Sequence, residues 1–191
     1  MAKLRLTGGT LRSRRVSAPS GRAVRPTPAR VKEALFSILA SADRLAGACV
    51  LDLFAGSGAL GFEALSRGAE RVTFVEAHKP TAAALARTAR ELAVDGRCRI
   101  VAQPAERAAR TLAGPYDLVF ADPPYALPYP AAALGALRDR GALDPDALVV
   151  YEHSSRLGPP ADPAFSLARS ERYGAVALAF MTPVALPGDA G

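Results

Sequence analysis

Apolar residues in the central part of the chain occur in short runs that alternate with amphipathic stretches. Each short run predicts a buried strand, at residues 49–53, 72–75, 99–102, 118–121 and 148–151. The stretches between them have helical spacing, near residues 59–67, 80–94, 105–112 and 130–138. Because strands that alternate with helices form right-handed βαβ units, the pattern predicts an α/β domain with a mostly parallel sheet.

The two ends of the chain follow different patterns. Strands are predicted at 165–172 and 175–181 with only Tyr173 and Gly174 between them, so the seven-stranded sheet should end in an antiparallel hairpin. Ahead of the sheet, Thr27 is a predicted N-cap and Pro28 the first residue of a helix. At the N-terminus, residues 3–6 and 11–16 alternate apolar with basic residues and predict a small β-hairpin extension.

These patterns divide the chain into three regions. We predict a basic hairpin extension over residues 1–24, one main domain over 25–183 and a frayed tail over 184–191. No run approaches the ~18 apolar residues of a membrane span, and no secretory signal is visible. A cytoplasmic protein is therefore expected.

The net charge of +6 is concentrated at the N-terminus. The chain has no acidic residue before Glu33, while the rest of it has 15 of the 24 basic residues against 18 acidic ones. A cationic segment on a mildly acidic domain suits a polyanion such as nucleic acid, bound through counterion release. The arginines predicted to contact it are Arg5, Arg12, Arg14, Arg15, Arg22, Arg25 and Arg30.

A glycine-rich loop follows the first strand of the main domain, in the segment LDLFAGSGALG. Gly56 and Gly58 allow close backbone approach to a ligand, and the helix that follows offers unpaired amides. With Gly61 the spacing also fits the dinucleotide pattern, so spacing alone leaves a nicotinamide cofactor open. Asp52, inside the strand, disfavours a nearby pyrophosphate and favours a cofactor with an ammonium or sulfonium group.

Acidic and amide side chains follow the next strands. Glu76 lies twenty residues after Gly56, at a strand end where an acid can accept hydrogen bonds from ribose hydroxyls. Gln103 follows the third strand and is a candidate partner for an adenine amino group.

The segment DLVFADPPY ends the fourth strand of the main domain. Two prolines cannot continue a sheet, so the chain must leave it directly after Asp122, with Tyr125 held nearby. Open α/β sheets bind ligands at this end of their strands.

Together, Asp52, the loop over 54–58, Glu76 and the DPPY tetrad resemble class I S-adenosylmethionine-dependent methyltransferases that act on amino groups. With the segment RPTPARVKEALFSIL, the chain resembles the 16S ribosomal RNA guanine-N2 methyltransferase family, which implies a Rossmann-like fold. Relatives often have an acid where this chain has Gln103 and Pro104.

The resemblance assigns roles to individual residues. Asp122 and the Pro123 carbonyl would accept the two N–H groups of the guanine amine, and Tyr125 would stack on the base. S-adenosyl-L-methionine would contact Thr27, Asp52, Phe54, Ala55, Gly56, Gly58, Glu76 and Gln103. The resemblance implies a monomer that needs no metal and acts on ribosomal RNA within a small-subunit particle.

Three other functions stay open at this point. A DNA adenine-N6 methyltransferase would use the same tetrad, but the chain has no room for a target-recognition domain. A non-catalytic RNA-binding or ribosome-assembly factor would keep only the fold. A nicotinamide oxidoreductase is disfavoured because neither histidine, His78 or His153, is placed as a proton donor.

Overall fold

The structure is a computed structural model that describes residues 3–17, 28–124 and 127–185. Four of the residues predicted to bind ligands lie outside these ranges: Arg22, Arg25, Thr27 and Tyr125. Within the described ranges, no helix is long and apolar enough to cross a bilayer.

The described chain contains nine strands and five α-helices. The strands are β1 Lys3–Arg5, β2 Arg15–Ser17, β3 Cys49–Asp52, β4 Arg71–Val75, β5 Cys98–Val101, β6 Tyr116–Ala121, β7 Leu143–Ser154, β8 Phe165–Tyr173 and β9 Val176–Pro183. The helices are α1 Ala29–Ser41, α2 Ala59–Ser66, α3 Lys79–Glu91, α4 Ala105–Ala109 and α5 Ala131–Asp139.

Seven of the strands form one sheet, in the order β5-β4-β3-β6-β7-β9-β8. β3 pairs in parallel with β4 and β6, and the outer pairs β4–β5 and β6–β7 are also parallel. β9 pairs antiparallel with both β7 and β8. The predicted fold, a mostly parallel seven-stranded sheet with an antiparallel C-terminal hairpin, is confirmed.

Helices cover both faces of this sheet. Side chains alternate along each strand, so neighbouring residues pack against helices on opposite faces. Phe120 of β6 packs on one face against Phe36 of α1, with ring centroids 5.8 Å apart. The neighbouring Val119 belongs to the opposite core, together with Leu134 and Leu137 of α5. With both faces covered, the edge where the parallel strands end remains available for a site.

Several predicted boundaries are wrong by a few residues. The first helix begins at Ala29 with Pro28 as its N-cap, because Pro28 has an extended backbone with ψ 139°. α3 ends at Glu91, earlier than predicted, since Ala93 adopts a left-handed φ of 57°. Tyr173 pairs with Val176 and belongs to β8, so the hairpin turn lies one residue later than predicted.

The N-terminal hairpin is also shorter than predicted. Its second strand begins at Arg15, not at residue 11, because the intervening residues form turns and hydrogen bonds with the end of α2. Thr10 N donates to the Ser66 carbonyl at 2.7 Å, and Leu11 N donates to Ser66 Oγ at 2.9 Å. The two strands form a separate small sheet, while the domain boundaries at residues 24 and 183 stay predictions.

Glu63 of α2 fastens this N-terminal segment to the domain. Its carboxylate is fully buried and accepts hydrogen bonds from Thr7 N, Thr7 Oγ1 and Gly8 N, each at 2.8 Å. Arg67 Nε donates from 2.9 Å, and Lys32 Nζ lies 3.2 Å away. Burial alone would raise the pKa of Glu63, but the hydrogen bonds from Thr7 and Arg67 and the Lys32 charge outweigh it and lower that pKa.

Lys32 is therefore not part of the exposed positive surface that the N-terminal charge predicts. Its ammonium group is buried and also donates to the Arg5 carbonyl at 2.8 Å. Apart from this buried lysine, the cations of this region whose side chains the structure describes are exposed arginines.

Replacing Glu63 with Gln should destabilise the protein by about 3 kcal/mol, because Lys32 would lose the partner of its buried charge. Urea denaturation at neutral pH measures this loss. Since the folded-state pKa of Glu63 is depressed, the wild-type advantage should shrink as the pH falls below its ordinary value of 4.5. The Thr7 and Gly8 amides should also exchange with solvent faster.

Glu70→Gln is the matched control. Glu70 pairs with Arg71 at 3.6 Å, but both side chains are more than 60% exposed, so this change should cost less than ~1 kcal/mol. Equal losses for the two variants would contradict the role assigned to Glu63.

Candidate active site

The candidate site lies where β4, β3 and β6 end. The chain order of the sheet reverses between β3 and β6, because β4 and β5 are added on one side of β3 and β6 on the other. Asp52, the last residue of β3, pairs with Phe74 of β4 and with Phe120 of β6. In doubly wound sheets, loops that leave the strands at such a point diverge and open the ligand-binding crevice.

The glycine-rich loop begins directly after β3 and is tied to both neighbouring strands. Leu53 N donates to the Phe120 carbonyl and Ala55 N donates to the Val75 carbonyl, each at 2.9 Å. Ala55 is buried, and Phe54 is half-buried against one of the two cores. The loop is therefore held at a fixed position in front of the crevice.

Two glycines of the loop have backbone conformations that other residues rarely adopt, with φ of 51° at Gly56 and 76° at Gly58. At Gly58, an added Cβ would lie 2.6 Å from Leu85 Cδ2 and 2.7 Å from the Phe62 ring. Gly61 permits close packing of α2, since a Cβ there would be 2.3 Å from the Phe74 ring. Packing of the core therefore requires glycine at positions 58 and 61, independently of any ligand contact.

Glu76 follows β4 and closes one side of the loop. Its Oε2 accepts a hydrogen bond from Gly56 N at 3.0 Å, and its Oε1 accepts one from His78 N at 2.7 Å. The side chain is half-buried at the crevice. The structure therefore joins Glu76 and the glycine loop, as the sequence spacing predicts.

Asp52 points into the protein rather than into solvent. It is 2% exposed, and its Oδ2 accepts a hydrogen bond from Gly61 N in the first turn of α2 at 3.1 Å. Burial, with a smaller contribution from the Glu76 charge, raises the pKa of Asp52 to about 7 despite the Gly61 hydrogen bond. Its protonation state is therefore sensitive near neutral pH to any charge brought into the crevice.

Gln103 lies beyond β5, on the far side of Glu76 from β3. Its side chain is half-buried, and its Oε1 is buried without a hydrogen-bond partner among the described residues. Most buried side-chain oxygens are hydrogen-bonded, so this acceptor is a candidate ligand contact.

Asp122 is the first residue after β6 and is partly exposed, whereas Pro123 is buried. Across the strand pair, Ala121 lies opposite Tyr151 of β7. Burial, together with the negative charge of Asp122, raises the pKa of Tyr151, which places the two side chains in one electrostatic environment. Asp122 and the glycine loop thus end adjacent strands at the same edge.

An aromatic row that the sequence analysis missed lies beside Asp122. The Tyr151 ring stacks on the His153 ring, with centroids 5.2 Å apart and an interplanar angle of 11°. Tyr129 contacts Tyr151 edge-on at 5.1 Å. The rings at alternate positions of β7 were an available signal in the sequence. Tyr129 lies in the connection between β6 and α5, and no local pattern links it to β7.

The predicted RNA-binding arginines that the structure describes are all exposed, namely Arg5, Arg12, Arg14, Arg15 and Arg30. They come from two parts of the chain, the N-terminal segment and α1. The loop with Arg12 and Arg14 docks at the C-terminal ends of α2 and α3, where Arg14 Nη2 donates to the Glu91 carbonyl at 2.5 Å. Arg30 instead lies in the first turn of α1.

No group of three or more histidine, cysteine, aspartate or glutamate side chains in the described part of the chain could hold a metal ion.

The sheet order, the glycine loop and the Asp122 strand end together define a Rossmann-like methyltransferase. The family model described as "Conserved hypothetical protein 95" matches residues 4–182. The chain therefore belongs to this family.

Named relatives support the same assignment. The chain is 36% identical over 176 residues to "Ribosomal RNA small subunit methyltransferase D" of Escherichia coli, which covers 92% of this chain and 87% of that protein. The solved structure of yhhF from Escherichia coli superposes with a TM-score of 0.84 and 35% identity, covering 95% of this chain and 98% of that one. For HI0767 from Haemophilus influenzae the TM-score is 0.79, with 29% identity and coverage of 96% and 100%. The resemblance predicted from the motifs is confirmed.

Gly58→Ala should destabilise the protein by roughly 2–4 kcal/mol, because strain from a positive φ adds to the clash with Leu85 and Phe62. Gly47→Ala is the matched control, since Gly47 has φ 73° but no atom within 4 Å of an added Cβ. It should cost only about 1 kcal/mol. Thermal denaturation of both variants measures the difference in stability. Equal losses of stability would show that the clash with Leu85 and Phe62 contributes nothing at Gly58.

Asp52→Asn tests the raised pKa of Asp52. The neutral carboxyl contributes stability that is fully present below pH 3.8 and is lost as the pH rises towards about 7. Asparagine keeps an acceptor for Gly61 N without this ionisation. The variant should therefore gain stability relative to wild type as the pH rises from about 4 to about 7, by up to about 4 kcal/mol. A stability difference that does not change with pH in urea denaturation would contradict this account.

Proposed function

We propose that this chain transfers a methyl group from S-adenosyl-L-methionine to the exocyclic N2 amine of a guanine in small-subunit (16S) ribosomal RNA. The main support is the position of Asp122 and Pro123, which follow β6 directly beside the glycine loop that follows β3. The similarity to the Escherichia coli methyltransferase supports the substrate class.

The residues at the crevice fit the chemistry of this cofactor. Across the edge of the sheet they follow in the order Gln103, Glu76, glycine loop and Asp122, because β5, β4, β3 and β6 are neighbours. Gln103 Oε1 is an acceptor without a described partner and is suited to an adenine amino group, and the Glu76 carboxylate suits two ribose hydroxyls. Phe54, Ala55 and the backbone at Gly56 and Gly58 would hold the amino-acid end, and Thr27 is proposed to help enclose it.

The Asp52 carboxyl would interact electrostatically with the positively charged amino-acid end of the cofactor. When bound, S-adenosyl-L-methionine supplies an electrophilic methyl group on a positively charged sulfonium. A cation near the buried Asp52 carboxyl would favour its ionised form and offset the burial that raises its pKa.

Asp122 and Pro123 would prepare the amine for attack. The lone pair of a guanine amine is delocalised into the ring, so the nitrogen is a poor nucleophile until it becomes tetrahedral. Hydrogen bonds from its two N–H groups to the Asp122 carboxylate and the Pro123 carbonyl favour that geometry and direct the lone pair along the line of displacement. Both acceptors are held by the end of β6 and by the proline backbone.

The target base needs an aromatic surface once it leaves its neighbours. Tyr125 is proposed to stack on it, a contact worth roughly 1–3 kcal/mol per base. Tyr151 and His153, stacked on each other beside Asp122, would form a wall of the same pocket.

The surrounding arginines are proposed to bind the RNA backbone, including Arg22 and Arg25 together with the exposed arginines named above. We propose that the enzyme acts as a cytoplasmic monomer on a small-subunit particle.

Asp122→Ala should lower kcat by roughly 10²-fold to 10³-fold. Removing one preorganised hydrogen-bond partner of the transition state typically costs about 3–4 kcal/mol. Transfer of a radiolabelled methyl group to unmethylated small-subunit particles measures kcat, and calorimetry measures cofactor affinity, which should be retained. Asp122→Asn keeps one carbonyl acceptor and should retain more activity than the alanine variant. Asp139→Ala removes an exposed carboxylate on α5 and serves as the control.

Full activity of Asp122→Ala would refute the assigned role. Methyl transfer by the wild type to duplex DNA, but not to ribosomal particles, would favour an adenine-N6 methyltransferase instead. Binding of particles without any transfer would favour a non-catalytic assembly factor.

A further inference from the structure

A groove outside the crevice lies between the start of α1 and the turn that joins β8 to β9. Its volume is about 370 Å³, and its lining residues are Pro28, Arg30, Val31, Arg172, Tyr173 and Gly174. Arg30 is one of the predicted RNA-binding residues, but Arg172 and Tyr173 come from the opposite end of the chain. Apart from this general prediction for Arg30, none of the roles assigned above involves the groove.

The strand register places this groove at the same edge of the sheet as Asp122. Tyr173 pairs with Val176, and Val176 pairs with Ser154, three residues beyond Tyr151. Tyr151 in turn lies opposite Ala121, the residue before Asp122. β8 is three strands from β6 in the sheet, so the groove lies roughly 15 Å from Asp122 at ~4.8 Å per strand.

The groove has an unbalanced positive charge. Arg30 and Arg172 are both exposed, and neither forms an ion pair with a described residue. The acid next to Arg172 in the chain is Glu171, and its carboxylate is already paired with Arg169 at 2.8 Å. A polyanion would therefore meet two available guanidinium groups here.

Tyr173 adds an aromatic group to this charge. It is half-buried and packs against the core that contains Phe36 and Phe120, so its ring is anchored. Two arginines beside an anchored aromatic ring are the combination that single-stranded nucleic acid binds, through phosphate contacts and base stacking.

We propose that this groove binds single-stranded RNA next to the target guanine, with phosphates at Arg30 and Arg172 and a base stacked on Tyr173. The inference rests on the proposed function and deepens it, because it adds a contact for the strand that flanks the guanine at Asp122. The groove would fix the direction in which the RNA leaves the crevice.

The test uses the full-length chain with Arg30→Ala, Arg172→Ala and their combination. Affinity for an unmodified small-subunit ribosomal RNA transcript is measured by fluorescence anisotropy at several KCl concentrations. Each lost phosphate contact should reduce the slope of log K against log [KCl] by about 0.7, so the double variant should lose about 1.4. The KM for RNA should rise while kcat changes little.

Tyr173→Phe and Tyr173→Leu separate stacking from packing. Phenylalanine keeps the ring and should bind RNA as the wild type does, whereas leucine fills the core without a π-face. The leucine variant should bind at least about 5-fold more weakly with an unchanged salt slope. Thermal denaturation checks that both variants are folded.

Arg140→Ala is the matched control, because Arg140 is an exposed arginine at the C-terminal end of α5, near the edge where the parallel strands begin. It should leave affinity and slope unchanged. Unchanged RNA affinity and salt slope in the Arg30 and Arg172 variants would overturn the proposal. Weaker binding to small-subunit particles with normal binding to the naked transcript would also overturn it, in favour of a contact with a ribosomal protein.

The affinity and salt-slope measurements are independent of the methyl transfer itself. If the wild type transferred no methyl group, the proposed function would fail, but the binding data would still decide whether the groove contacts RNA.

Discussion

The parallel pairing of β3 with both β4 and β6 is the constraint on which the site depends. β3 has hydrogen-bonded neighbours on both sides, so the loop after it must leave the sheet between two other strand ends. Bonds from Leu53 to Phe120 and from Ala55 to Val75 continue this pairing into the loop. Glu76 and Asp122 therefore lie on either side of the glycine backbone. The proposed cofactor and amine sites are neighbours because the strands are neighbours.

A second constraint is the buried carboxylate of Glu63 on α2, which positions the N-terminal part of the chain. Glu63 holds the N-terminal segment and α1 through Thr7, Gly8 and Lys32, and this costs the burial of two charges. Such pairs are weak sources of net stability, but removing one partner is expensive, so they favour a single arrangement. In this protein the arrangement holds α1 against α2 and the N-terminal segment. Since α1 contributes Arg30 to the groove beside Tyr173, the internal ion pair also shapes a surface.

The strand pattern, the glycine loop, Glu76 and Asp122 could be predicted because each depends on local sequence. Apolar runs give buried strands, a double proline ends one, and the βαβ order brings their carboxyl ends to one edge. The Glu63 cluster could not be predicted, because its partners at Thr7 and Gly8 are more than 50 residues away. Likewise, Arg30 and Arg172 meet only after the sheet has closed with an antiparallel hairpin. Local patterns located the strand ends that form the candidate site, while long-range packing decided which charges are buried and which are exposed.

The most direct test of the central claim is to map modified nucleotides in ribosomal RNA from cells with and without this protein. The account predicts that one N2-methylguanosine of the small-subunit RNA disappears without the protein. It should return with the wild-type chain but not with the Asp122→Ala variant. An identical set of small-subunit modifications in both cell types, or a loss only at adenine N6 in DNA, would contradict the account.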